Sequence, residues 1–145
     1  MKVALACVLL MTIGFASAFH SLTPSTSDEV LNHIQGNNYN IYILNFYDSS
    51  QADDETKSVF KDIEDRVQGV LGANPEVFYA RIDHNNPAFR KLEEVVGVTS
   101  IPALLAIVHG KGVWLSGTNS YLMVERLNDF IPAFKKSSAH HSNPY

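Results

Sequence analysis

Apolar and polar residues alternate along this chain in two rhythms. "IYILNFY" (41–47) and "IPALLAIVH" (101–109) are almost continuously apolar, and "EVFYARID" (76–83) is a third strand-like run. Runs of this kind suit strands buried on both faces of a sheet. Between them the period becomes helical. Val59, Phe60, Ile63, Val67 and Val70 recur on one face, with Lys57, Lys61, Asp62, Glu64 and Asp65 on the other. An earlier helix is expected over "TPSTSDEVLNHIQGNN", capped by Ser25, Thr26 or Ser27 and stopped by Gly36. "FHSL" (19–22) ahead of it reads as a short edge strand.

The second half continues the alternation. Pro87, Phe89, Leu92, Val95 and Val96 predict a short helix with Pro87 in its first turn and Gly97 at its end. "HGKG" turns the chain into "VWLS" (113–116), which closes a hairpin. Met123, Leu127, Phe130 and Phe134 form the core stripe of a last helix, which Pro132 is expected to kink or end. The element order β-α-β-α-β-α-β-β-α predicts an α/β fold with a mixed central sheet flanked by helices.

Composition narrows the class. With 145 residues, 46% hydrophobic, the chain suits one compact domain. A formal charge of −4 argues against nucleic acid as a partner. The opening "MKVALACVLLMTIGFASA" has a lysine, a short apolar core and a small-residue end, the pattern of a secretory signal peptide. The expected division is therefore a signal over 1–18, a domain over 19–136 and a disordered tail over 137–145. The expected location is the secretory pathway, in the endoplasmic reticulum lumen or secreted. The alternatives are an uncleaved membrane anchor, the one case in which a membrane partner is expected, or a mitochondrial presequence. The single cysteine, Cys7, lies inside the signal, so no disulfide is available to the domain.

"GVTSIPALLAI" carries a resemblance. It is similar to the "GV-x-x-[IYF]-P-T-L" strand entry of thioredoxin domains, and in style to those of the protein disulfide isomerase family. "LTPSTSDEVL" resembles that family's "LT-x-x-x-F-D-x-x-V" opening, with Ser27 in place of Phe. "YARIDHNNPAFRKLEEVVGV" resembles its "x-A-K-[IVL]-D" strand and the helix after it. The resemblance covers about 19–136 and implies a thioredoxin fold.

It also shows what is missing. The family places "F-[WY]-A-x-W-C-x-x-C-[KR]" after the central strand. Here Phe46 and Tyr47 match, but Gln51, Ala52, Asp53 and Asp54 stand in the Cys-x-x-Cys slot. Asn45 occupies the position where active members often keep a buried carboxylate. Dithiol exchange needs one thiolate to attack and a second thiol to resolve, so no catalytic residue is expected. Ser50-Gln51-Ala52-Asp53 instead fits a helix-capping pattern, with Asp53, Asp54 and Glu55 at the positive end of the helix.

Ile101-Pro102 stands where the family places a cis-proline. The resemblance implies a peptide-binding edge formed by Tyr47, Asp48, Thr99, Ser100, Ile101 and Pro102, with Gln51 beside it. Backbone pairing at such an edge needs no thiol. Neither a metal nor a cofactor is expected: the acidic junction lacks the spacing of a calcium loop, and the six histidines form no zinc set. The expected function is a redox-inactive domain that binds a polypeptide. The alternative is a structural subunit of a larger membrane or mitochondrial complex.

Overall fold

The computed structural model describes residues 19–36, 38–117 and 119–142, with side chains of the last helix to residue 136. The expected leader, 1–18, lies outside the described residues. The elements are β1 (His20–Leu22), α1 (Ser27–Ile34), β2 (Ile41–Tyr47), α2 (Asp54–Gly72), β3 (Phe78–Asp83), a 3-10 turn (Pro87–Phe89), α3 (Arg90–Val96), β4 (Ala103–Val108), β5 (Lys111–Ser116) and α4 (Ser120–Ser142). The five strands form one sheet in the order β1-β3-β2-β4-β5. β2 runs parallel to β3 and antiparallel to β4, so the sheet is mixed, as the alternation predicts.

Successive residues of a strand point to opposite faces, and each face here has its own core. Ile41 and Ile43 of β2 pack with Ile63, Val67 and Leu71 of α2 and with Met123, Leu127 and Ile131 of α4. Tyr42, Leu44 and Phe46 pack with Val30, Leu31 and Ile34 of α1 and with Phe89 and Leu92 of the α3 region. Six of the seven β2 residues are buried. This strand therefore fixes Phe46 in the second layer and leaves Tyr47 half-buried at its C-terminal end.

Several local expectations are corrected. Leu71, rather than Val70, is the last fully buried residue of α2, while Val59 and Val70 lie at the rim of the core. In α4, Ile131 is buried and Phe130 is 38% exposed, because positions 123, 127, 131 and 134 follow the helical repeat more closely. Pro132 does not end α4. The helix continues to Ser142, six residues into the stretch expected to be a disordered tail (142 − 136 = 6). Burial of Ile131 and Phe134 on either side of Pro132 holds the helix across the missing amide hydrogen bond, and no glycine or proline follows before Pro144. Pro87 opens a 3-10 turn rather than α3 itself. The β4–β5 turn is two residues, His109 (φ 48°) and Gly110 (φ 75°), both left-handed, as a tight hairpin requires.

Ser27 has a role that its sequence position does not announce. It is the first residue of α1, behind the capping Thr26, and it is buried. Its hydroxyl donates to the carbonyl of Ala88 at 2.7 Å and accepts from the amide of Leu92 at 3.0 Å. A polar contact thus ties α1 to the start of α3, in place of the aromatic that the resemblance leads one to expect.

Candidate functional site

The C-terminal ends of β2 and β3, the start of α2 and the loop before β4 meet at one end of the sheet. The β2–β4 register ends at Phe46 opposite Ala103, and one further step sets Tyr47 opposite Pro102. The fold therefore brings the two halves of the expected edge together. The Ile101-Pro102 peptide bond is cis.

At the junction where the resemblance places a redox motif, two carboxylates gather hydrogen bonds from the turn. The Asp48 carboxylate accepts from the amide and hydroxyl of Ser50, at 2.9 and 2.6 Å, and from the Gln51 side chain at 3.3 Å. Asp83, at the end of β3, accepts from the amide and hydroxyl of Ser49 at 3.0 and 2.5 Å, and from the amide of Asn85 at 3.0 Å. Both carboxyls lie below the usual range. For Asp48 the Ser50 hydroxyl is the main cause, followed by the Ser50 amide. For Asp83 burial works the other way, and the bonds from Ser49 and Asn85 outweigh it.

The expected capping pattern is shifted by one turn. α2 begins at Asp54, and its cap is Asp53 rather than Ser50. The Asp53 carboxylate accepts from the amide and hydroxyl of Thr56 at 3.0 and 2.7 Å, which holds that carboxyl low. Asp54 and Glu55 occupy the first turn, where the helix end favours negative charge. Of the residues in the Cys-x-x-Cys slot, Asp53 thus caps the helix and Gln51 braces Asp48. Ala52 is exposed and makes no polar side-chain contact.

The edge residues divide into two kinds. The Tyr47 carbonyl accepts from the His84 amide at 2.7 Å, and Asp48 is engaged as described. Thr99 and Ser100 are exposed and Ile101 is half-buried. Their backbone groups make no hydrogen bond among the described residues. Gly97 (φ 80°) ends α3 in the left-handed conformation expected of it, and its amide and that of Val98 both donate to the Glu93 carbonyl. That closure launches the free segment. The Glu93 side chain, 9% exposed as a residue, meets Nδ1 of His84 at 2.7 Å. A pocket of about 400 Å³ opens between His84, α3 and Thr99.

Beneath the site lies a polar cluster that the residue pattern does not reveal. Asn45 is 3% exposed, and its side-chain amide donates to Glu64 and to the Tyr79 hydroxyl, each at 3.0 Å. The Tyr79 hydroxyl donates to the same Glu64 oxygen. Arg81 pairs with Glu64 at 3.3 Å and lays its guanidinium 4.3 Å from the centroid of the Tyr47 ring. Burial, then the bond to Glu64, pushes the Tyr79 phenol far up. A carboxylate therefore does reach the position under the site, but from α2 and not from β2. The only available signal was the β2–β3 register, which sets Ile43 beside Tyr79 and Asn45 beside Arg81. It is not visible in the chain alone.

Among the described residues, no group of three or more His, Cys, Asp or Glu is placed to hold a metal ion. No helix among them is long and apolar enough to cross a membrane. The chain's one cysteine gives no dithiol pair.

No protein-family model matches the sequence, and no curated protein matches it. Solved structures do. A thioredoxin from Trypanosoma brucei brucei superposes with a TM-score of 0.57 at 16% identity, over 80% of this chain and 93% of that one. Spinach chloroplast thioredoxin f, short form, gives 0.61 at 12% identity, over 82% and 95%. Fasciola hepatica thioredoxin gives 0.57 at 20% identity, over 77% and 98%. The chain has the thioredoxin fold.

Proposed function

We propose that this thioredoxin-like domain is redox-inactive and holds an extended polypeptide partner in the secretory pathway. It is read as a binding domain of the disulfide isomerase style and not as an enzyme. The observation that carries the reading is the contrast at the site. In the turn that replaces the redox motif, Ser49, Ser50 and the Gln51 side chain are held by Asp83 and Asp48, while the backbone of Thr99, Ser100 and Ile101 is left without partners beside it. An exposed backbone segment of this kind can pair with an added strand. The apolar opening of the chain and its small-residue end support the location.

The test is gentle native purification through a C-terminal tag, read by mass spectrometry for the mature N-terminus and for co-purifying chains. An N-terminus at Phe19 with many substoichiometric partners supports the proposal. An intact Met1 with a few partners at fixed ratio overturns it in favour of an anchored subunit.

A further inference from the structure

The carboxylates around the free edge specify its partner. We infer that the segment which pairs with Thr99–Ile101 is extended and basic, with lysine or arginine on the face that meets the β3 and α3 ends. This inference rests on the edge reading above and adds the chemistry of the occupant.

Two independent observations converge. The first is the free backbone with the pocket beside it, lined by His84, Arg90, Glu93, Glu94, Val98 and Thr99. The second is an uncompensated charge. Asp48 and Asp83 are bonded only by neutral donors, from Ser50, Gln51, Ser49 and Asn85. Glu94 makes no ion pair among the described residues, and Glu93 has only the imidazole of His84. Against these four carboxylates stand, among the described residues, Arg81 over the Tyr47 ring, already paired with Glu64, and Arg90 at the pocket. Lys91, its neighbour, is already paired with Asp28 at 2.7 Å. The start of α2 adds Asp53, Asp54 and Glu55 with Lys57 one turn on, though the helix end offsets part of that charge.

An acidic rim attracts a basic strand and repels an acidic one, and the discrimination weakens with salt. The geometry favours an extended segment over a helix, because the free groups are backbone donors and acceptors in a run of three. In an extended strand alternate side chains share one face, so every second residue can reach the carboxylates.

The experiment uses the full chain and three capped ten-residue peptides, each alternating valine with one polar residue: lysine, serine or glutamate. Binding is measured by calorimetry, and amide shifts are followed by NMR. The lysine peptide is expected to bind about 10-fold tighter than the serine peptide at low salt, and the glutamate peptide weakest. Raising salt from about 0.05 M to about 0.5 M should close most of that gap. Glu94→Gln, at an exposed and unpaired position, should reduce the lysine preference by about 2-fold without loss of fold, and Asp48→Asn by more. Amides of Thr99, Ser100 and Ile101 should shift on binding. Equal affinity for all three peptides, with those amides shifting, overturns the charge inference and leaves the edge reading standing. Binding that leaves those amides unmoved, or no binding by any peptide, overturns both.

Discussion

Asn45 and Glu64 meet at 3.0 Å across the layer between β2 and α2, and the Tyr79 hydroxyl completes the contact. The sheet offers a neutral amide where the resemblance leads one to expect an acid, and the helix supplies the negative charge from outside. The arrangement is directional. Asn45 and Tyr79 donate, and Glu64 accepts.

Asn45→Asp should therefore be poorly tolerated. It replaces a donor to Glu64 with a second carboxylate in a nearly dry site. A loss of about 3–5 kcal/mol is expected at neutral pH. Urea unfolding at pH 7 and at pH 5 checks this. The loss should shrink at the lower pH, as one of the facing carboxyls takes up a proton.

Tyr79→Phe removes one hydroxyl and leaves Asn45 with Glu64 alone. The expected cost is about 1–2 kcal/mol, with the fold retained. Denaturant midpoints with unchanged slopes would confirm that only stability has moved.

The start of α2 offers a paired comparison. Asp53→Ala should lower the melting temperature by a few degrees, because it strips the Thr56 amide of its cap. Ser50→Ala should have a smaller effect, since Ser50 braces Asp48 and does not cap the helix. Equal losses would contradict the cap assignment.

Acid should weaken the site end. The carboxyls of Asp48 and Asp83 are held low in the folded chain. As acid is added, the unfolded chain takes up their protons before the folded one does. Their contribution is complete above about pH 4, near the unfolded aspartate value, and is lost as the pH falls through the lower folded values. Ser49→Ala should make that loss less steep. Melting temperatures measured between neutrality and about pH 2 would show it.

Residues 19–145 contain no cysteine. Dithiothreitol should leave the melting temperature of that segment unchanged. A drop of several degrees in the natively purified protein would mean that Cys7 is retained and forms a disulfide that contributes to the fold.

The sheet and its helices were legible because the apolar periods of β2, β4 and α2 differ and because the strands are too apolar for anything but a buried sheet. Gly97 was legible because a left-handed residue at a helix end favours glycine. The polar contacts were not. Ser27 bonds across more than sixty positions, and Glu64 reads as a surface residue among Lys61, Asp62 and Asp65 until the register turns it toward Asn45. The capping aspartate was displaced because Ser50 and Asp53 both suit a helix start. The choice between them depends on Asp48, which claims Ser50 for itself.

The serine–carboxylate bonds at Ser49 and Ser50 have a kinetic consequence. Both amides sit on an exposed turn, where exchange with deuterium is normally fast. Here each is held by an ionised carboxylate, so each should exchange slowly until the turn unlatches. The Ser49–Ser50 turn is already tied down in the unbound chain, so the strand proposed above would spend none of its binding energy in ordering it.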